Sequence, residues 1–596
     1  MRKIIMATVI AAIMACSLFG CGGGQAKEPA SQSASQGEAV QEQDVAQGEA
    51  VQEQDAAQEE TSQEQQAVSD AAQGETAQEQ QAVSDAAQGE AVQEQPEEEQ
   101  LDAVRPVFKL ESHSRMEDKD NTTIASGSYD LVKLTEEAVM NHVYLNRAIE
   151  TENDLIEEKY EQLFAEIKEA AENAIAEHSE ETEEFPTGTM EGRIVPVRCD
   201  GEVLSFYEVT SVYYPGAAHG TVSYTGYNYS TANEAPITLE DVFADPAALK
   251  PVIAQNLKAQ ADGSSVEDAE DMLQDYFDNE MDGLTWVIDQ DGVTFLFEPS
   301  SIAPYAMGTL ESKVCFDKEP ALFTGNYKTS GDGYVRTMSP YTEMTVDLDG
   351  DGSEEKLSVT GVYEDGNEIN AYSGIQVSVG DQVCTTDLYC YSMQPCFVHT
   401  EDGRNYVYVV TGTDNDYPEL TVFEIRDNVP ALVGTMEGTG FASAYYPAYV
   451  DGEYSLEQSS FQRYPMIDPS KFELGTRMHL MSTYSGHRAY KVGEDGMPAP
   501  LTDYYEIDAD ITLTSLVPVK AEVVDLSTGE ATGEEKEIPV GTKLNFWRTN
   551  GIDTVDLRTE DMEIGEAFRF KVETGDGQTV NGIKLNEAFD GTVFGG

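Results

Sequence analysis

Residues 193–229 read RIVPVRCDGEVLSFYEVTSVYYPGAAHGTVSYTGYNY and set the character of the first domain. Three strands follow one another here: Arg193 to Cys199, Val203 to Tyr213 and Gly220 to Tyr229. Each is crowded with β-branched and aromatic residues. Upstream, Ile149, Ile156, Tyr160, Leu163, Ile167, Ala170 and Ala174 step by three, four and seven, which predicts a long helix from Asn146 to about His178 with one buried stripe. Before it, Phe108/Leu110 and Tyr129/Leu131 alternate with polar residues, like two earlier strands. Downstream, Leu239 to Phe243 opens a helical section. Helices are predicted over Ala247 to Ala261 and Val266 to Glu280, and closing strands over Gly292 to Phe297 and Gly308 to Phe316. Helices and mostly antiparallel strands in separate runs predict an α+β domain over 101–318.

The N-terminus addresses the chain. Met1-Arg2-Lys3 is a short positive head, and Ile4 to Phe19 is an apolar run of secretion-signal length, too short to span a membrane. It ends in Leu18-Phe19-Gly20-Cys21, which resembles a bacterial lipobox. That resemblance implies removal of residues 1–20, diacylation of Cys21, and anchoring by lipid to the outer face of the cell membrane. Residues 21–100 are then a low-complexity tether. QGEAVQEQ recurs with a step of eleven and QQAVSDAAQGE with a step of fifteen, aromatics and Leu/Ile are missing, and no core can form. Charge narrows the partners. The stretch from Gly22 to Gln100 holds 19 acids and one Lys; from Leu101 on, 92 acids face 32 bases, within a total of −76. Such a body disfavours nucleic acid and anionic wall polymers and permits cationic proteins or divalent metal.

Beyond about Tyr334 the pattern changes to short alternating strands with Gly/Asp/Asn turns, such as Glu355 to Tyr363, Gly374 to Val379, Tyr406 to Thr411 and Glu419 to Ile425. The expectation is a β-rich region over 335–435, an irregular Gly/Pro-rich connection over 436–504, and a last module over 505–596. Five strands in about sixty residues (Ile511 to Asp525, Lys536 to Pro539, Lys543 to Arg548, Thr554 to Thr559, Ala567 to Val572) suggest a small SH3-like β-barrel. Within the β-rich region, Asp347-Leu348-Asp349-Gly350-Asp351-Gly352-Ser353-Glu354-Glu355 sets carboxylates at positions one, three, five and nine. They can converge on one hard cation, with Gly352 at the sharp turn and the Ser353 carbonyl as a further oxygen. The loop resembles the calcium loops of FG-GAP-type blades. A strand follows it, and position twelve is Ser358 rather than Glu, both unlike an EF-hand. Ca²⁺ is thus the expected cofactor at Asp347, Asp349, Asp351, Ser353 and Glu355; the alternative is an acidic hairpin turn. Asp414-Asn415-Asp416 is a weak echo. Cys384, Cys390 and Cys396 recur every six residues near His399 without a CxxC pair, so buried free thiols are expected over a metal site.

Four stretches carry a family resemblance over Tyr129 to Phe316: Tyr144 to Glu150, Tyr213 to Gly220 with the aromatic strand after it, Ile237 to Phe243, and Val293 to Pro299 followed by Ile302 to Gly308. In order and spacing they resemble the extracytoplasmic domain shared by the lysozyme-binding anti-sigma factor and a peptidoglycan N-acetyl deacetylase of Gram-positive bacteria. The membrane span of the former and the catalytic domain of the latter have no counterpart here. The resemblance implies a module that binds lysozyme-like cationic protein or peptidoglycan fragments. Candidate ligand-binding residues are Tyr213, Tyr214, His219, Tyr227, Tyr229, Pro304 and Tyr305. His219 sits at a tight turn, where it either meets a ligand or only holds the backbone; Tyr227 and Tyr229 share one strand face, either for binding or for packing. No nucleophile–base pair is legible. A surface-binding lipoprotein is the expected function; a wall-modifying enzyme and a structural spacer or adhesin are the alternatives.

Overall fold

A computed structural model describes residues 104–595 apart from 120–121, 179–186, 261–268, 279–280, 282, 329–332, 364–370, 414–416, 451–452, 508, 510, 560–565 and 576. Cys21, the tether and the Asp414–Asp416 echo lie outside the described residues. Among the described residues, no helix is long and apolar enough to cross a membrane. The architecture is mostly β, in several sheets and more than one domain.

The first sheet begins with β1 (Phe108–Lys119) and β2 (Thr122–Leu134), antiparallel in the register Leu110↔Val132. A short helix, α1 (Glu136–Asn141), capped by Thr135, leads into α2 (Val143–His178). β3 (Gly188–Cys199), β4 (Val203–Tyr213), β5 (Thr221–Ser230) and the two-residue β6 (Ala235–Pro236) follow. β2 and β3 are parallel, Ala125↔Gly188 to Tyr129↔Gly192. Parallel neighbours need a long crossover, and α2 supplies it.

The long helix starts three residues before its expected start. Its first free N–H groups, on Tyr144 and Leu145, donate to the Glu234 carboxylate at 2.6 and 3.2 Å, which suits the positive end of a helix. Ile149, Ile156, Tyr160 and Ile167 are buried as expected, but late in the helix Phe164 and Ala171 take the buried positions while Leu163 and Ala170 stay half-buried. Tyr160 stacks on Tyr129 at 5.1 Å with the rings 2° from parallel. A side chain at Gly192 would meet the Tyr160 hydroxyl at 2.1 Å, so glycine there lets the helix close on the sheet. Beyond Tyr129, β2 no longer pairs with β3. Asn153, buried on α2, fills that gap: its amide donates to the Val132 carbonyl at 2.8 Å and accepts from the Val132 N–H at 3.2 Å.

Two corrections to the sequence reading follow. The stretch 436–504 is not irregular: it contains the strands Thr439–Phe441, Ser443–Val450, Glu453–Arg463, Phe472–Met478, Tyr484–Val492 and Pro498–Pro500. The first domain also does not end its sheet within 101–318. The hairpin 443–463 adds two strands beside β1, in the register Leu110↔Arg463 to His113↔Ser460. An open edge on β1 offers unpaired backbone groups, and this hairpin covers it.

A three-stranded sheet of β7 (Thr285–Ile288), β8 (Gly292–Phe297) and β9 (Leu310–Cys315) encloses a core with helix α3 (Leu249–Gln260): Ile253, Leu257, Val293, Phe295 and Val314 are fully buried there. The helix expected over Val266 to Glu280 is represented by two short pieces, Ala269–Met272 and Gln274–Asp278.

Next come β10 (Tyr334–Thr337), β11 (Met344–Val346) and β12 (Glu355–Val362). β10 heads a five-stranded sheet, and β11–β12 begin a four-stranded one. Leu357, Val359, Ile375 and Val377 from one meet Phe397, Val407, Val409 and Phe423 from the other in a shared core. The five-stranded sheet is covered on its second face too, where Tyr406, Tyr408 and Val422 pack against Phe472 and Tyr490. Burial on both faces explains the unbroken apolar run Tyr406–Val410 within the strand Asn405–Gly412. The strands expected in the last module are present, but Ile511 to Asp525 is broken into Thr512–Ser515 and Val519–Val524. Nor is the module set apart: Tyr484–Val492 pairs with Tyr505–Ile507, which pairs with Lys543–Thr549, so one sheet runs through.

Candidate functional site

The acidic loop is the eight-residue turn between β11 and β12, closed by the Val346↔Glu355 pair. Gly350 and Gly352 lie at φ of 75° and 86°, a left-handed backbone that glycine adopts without steric cost. The Asp347 carboxylate accepts from the N–H of Gly350 at 2.8 Å and of Gly352 at 2.9 Å, and Glu355 accepts from Leu348 at 2.8 Å. Oxygens of Asp347, Asp349 and Glu355 lie within 4.8 Å of one another. Asp351 does not join them; it accepts from the Ser353 N–H at 2.7 Å. Glu354 points elsewhere, to Lys318 at 2.7 Å, tying the loop to the segment after β9. One neighbour was not foreseen. Asn428, in the left-handed Asp427-Asn428 turn of a following hairpin, donates to Asp349 at 3.0 Å. The Asp-Asn pair signals such a turn, but nothing local signals its contact.

The candidate tyrosines divide. Tyr227 stacks on Phe206 at 5.0 Å and its hydroxyl donates to buried Glu208 at 3.3 Å; Tyr229, 3% exposed, packs on the same ring. They share a face, as expected, but it is the face beneath α2, so they are core residues. Burial, followed by Glu208, pushes the Tyr227 phenol well above its ordinary pKa. Tyr214 reaches the helix, donating to Glu166 at 2.9 Å; burial and then Glu166 push it up to about 12. Tyr213 pairs with Thr189 at the end of β4.

His219, Pro304 and Tyr305 come together. The turn after β4 and the single turn of helix Tyr305–Met307, entered from Pro304, place the two rings 4.1 Å apart and 27° from parallel. The Gly220 carbonyl accepts from Tyr305 Oη at 3.1 Å and from His219 Nδ1 at 3.0 Å, so Nδ1 is a donor here. His219 is exposed, Tyr305 is 40% exposed and Met307 36%. Close by, Tyr224 donates its N–H to Glu298 at 3.3 Å, and its hydroxyl shares a hydrogen bond with Thr309 at 2.6 Å. His219 and Tyr305 thus form a braced, exposed aromatic pair.

A charged cluster invisible in sequence joins the β7–β9 sheet to β10. Asp289 and Asp291 share Lys313, and Arg336 reaches them at 3.7 and 3.9 Å. Burial opposes ionisation of Asp289, but Lys313 and Arg336 outweigh it and hold its carboxyl below the ordinary range; burial and then Asp289 push the Asp291 carboxyl above it. The cysteines form no such group. Cys384, Cys390 and Cys396 are free, and burial raises Cys390 and Cys396 to about 12, which keeps them as thiols. His399 is held by Asn405 at 2.7 Å.

Residues 240–317 match the family described as a protein of unknown function, DUF3298, so the chain carries a DUF3298 segment that spans α3 and β7–β9 and contains Tyr305. Among solved structures, the chain is similar to a member of that family from Bacteroides fragilis, at 17% sequence identity over 37% of this chain and 95% of that one, with a TM-score of 0.27. It is also similar to a DUF3298 family protein from Pseudomonas aeruginosa, at 14% identity over 38% of this chain and 99% of that one, with a TM-score of 0.25. No curated protein matches the chain.

Proposed function

We propose that the chain is a surface lipoprotein that works by binding a cell-wall-related ligand or a lysozyme-like cationic protein. The observation that carries this reading is the exposed His219–Tyr305 stack, braced on the Gly220 carbonyl. An ordered aromatic pair loses little entropy on meeting a partner, and the acidic body speeds the approach of a basic one. The binding test is titration calorimetry of the full chain with lysozyme and, separately, with purified muropeptides. Saturable heat with one of them, weakened about tenfold or more by Tyr305→Ala, is expected for a central aromatic contact. Absence of heat with both at high micromolar concentration rejects the reading. Anchoring is part of the same proposal: cells should incorporate labelled fatty acid into the wild-type chain and none into Cys21→Ala.

The acidic loop is proposed as a Ca²⁺ site in which Asp347, Asp349 and Glu355 supply the charged oxygens. Their convergence supports it, as does the hard-oxygen chemistry of the set. The terminal sheet, SH3-like in its strand spacing, would be an accessory module. Binding to the folded state alone stabilises by about 2.7 kcal/mol at a hundredfold excess over Kd. Millimolar Ca²⁺ should therefore raise the melting temperature of the full chain. Asp349→Ala should remove the rise and Asp351→Ala should leave most of it; identical melting of wild type and Asp349→Ala with and without Ca²⁺ would make the loop an acidic turn.

A further inference from the structure

The C-terminal sheet holds a second cluster, separate from the acidic loop and from His219. Val555 and Leu557 of the strand Thr554–Thr559 point into the core, so Asp556 and Arg558 lie on the opposite face. Phe568 and Phe570 place Arg569 on that same face, and a bulge between Phe546 and Arg548 brings Arg548 opposite Asp556. The result alternates cations with rings. Arg558 lies 3.7 Å from the centre of Trp547, Arg548 4.5 Å from both Trp547 and Tyr504, and Arg569 4.9 Å from Tyr504.

Two of the three arginines are fully engaged. Asp556, wholly buried, accepts from Nε of Arg548 and of Arg569, both at 2.8 Å, and the Gly529 carbonyl accepts from both side chains. Arg558 differs. Among the described residues it makes no ion pair, and its Nε is buried without a hydrogen-bond partner. Burial lowers its pKa, the exposed Glu506 raises it, and Arg548 repels it. A guanidinium held flat on an indole with its fork unmatched is prepared for a planar carboxylate. Leaving such a cation uncompensated is costly unless something completes it. In a chain of net charge −76, a surplus of arginine on one face serves no need for solubility.

We propose that Arg558 and Trp547 form a binding site for an acidic peptide. Arg558 takes a side-chain or terminal carboxylate in two parallel hydrogen bonds. Trp547 fixes the guanidinium plane.

The chain has two tryptophans, so Trp286→Phe in the full-length protein leaves Trp547 as the only indole and a direct reporter. Its fluorescence is followed during titration with an acetylated tetraglutamate peptide carrying one leucine, with the tetralysine counterpart, and with tetragalacturonate at equal ionic strength. The expected result is a saturable change with the glutamate peptide alone. Arg558→Gln should weaken it about tenfold or more, the usual cost of a charge-assisted contact, and Arg558→Lys by less. Glu506→Gln, an exposed change that spares the fold, should tighten binding by removing the competing carboxylate. No saturable change with the glutamate peptide overturns the proposal. So does equal binding by a folded Arg558→Gln variant, or weaker binding by Glu506→Gln. Binding of tetragalacturonate without the glutamate peptide overturns the peptide assignment.

Discussion

Replacing Asp556 by alanine should destabilise the C-terminal sheet by about 3–5 kcal/mol, the range for breaking a buried ion pair from one side. Asp556 is wholly buried, and Arg548 and Arg569 are only 15% and 13% exposed in their side chains. Without the carboxylate, two guanidiniums face each other with the Gly529 carbonyl as the acceptor they share. Asp556→Asn keeps an oxygen acceptor and should cost less. Urea denaturation measures both: the midpoint should fall strongly for alanine with little change in slope. Because Tyr505↔Thr549 joins this sheet to the strands before it, the loss should reach Tyr484–Val492 as well. A midpoint within experimental error of the wild type would mean that the arginine ladder holds itself together by stacking alone.

Asp130→Ala should cost about 3 kcal/mol through a different connection. This buried carboxylate accepts from Ser112, from the Ile194 N–H at 3.2 Å, and from Arg463 at 2.5 Å. Arg463 belongs to the hairpin 443–463, which is further held by Gln462 to Glu111 at 2.8 Å and Arg115 to Glu457 at 2.7 Å. Ile467, just beyond the hairpin, enters the core beside Phe108, Leu110 and Val132. The loss should be shared with Arg463→Ala, so the double variant is expected to be much less destabilised than the sum of the two. Additive losses would show that the hairpin and the sheet are stabilised independently. A fragment ending at residue 318 would lack this whole edge.

Much of the fold was legible because it rests on local alternation. Val203–Tyr213, Gly292–Phe297 and Thr554–Thr559 appear with the bounds their pattern predicts. The long helix shows the expected stripe, with drift in its second half. What escaped was non-local. The strands of 436–504 mix Gly, Pro and polar residues with their apolar ones, which blurs the local period; 443–463 and 472–492 are hairpins of sequence neighbours, whereas the pairing of Glu453–Arg463 with β1 is distant in sequence. The Tyr227/Tyr229 face was seen as a face, but only the placement of α2 shows that it is covered. At the acidic loop the three converging carboxylates are legible from their spacing, whereas the contact of Asn428 and the Asp289–Asp291–Lys313–Arg336 cluster exist only through tertiary packing. His219 and Tyr305 were both named as candidates; that they stack required the two turns to meet.

The return of the hairpin has a consequence for how the molecule is made. Asp130 and its partner Arg463 are separated by 333 positions. A chain that emerges N-terminus first presents β1 long before the strand that will cover it. During that interval β1 is an unprotected template for mispairing, and sequence-distant contacts of this kind form late and slowly. The completed first sheet therefore reports that the chain has emerged at least as far as Arg463.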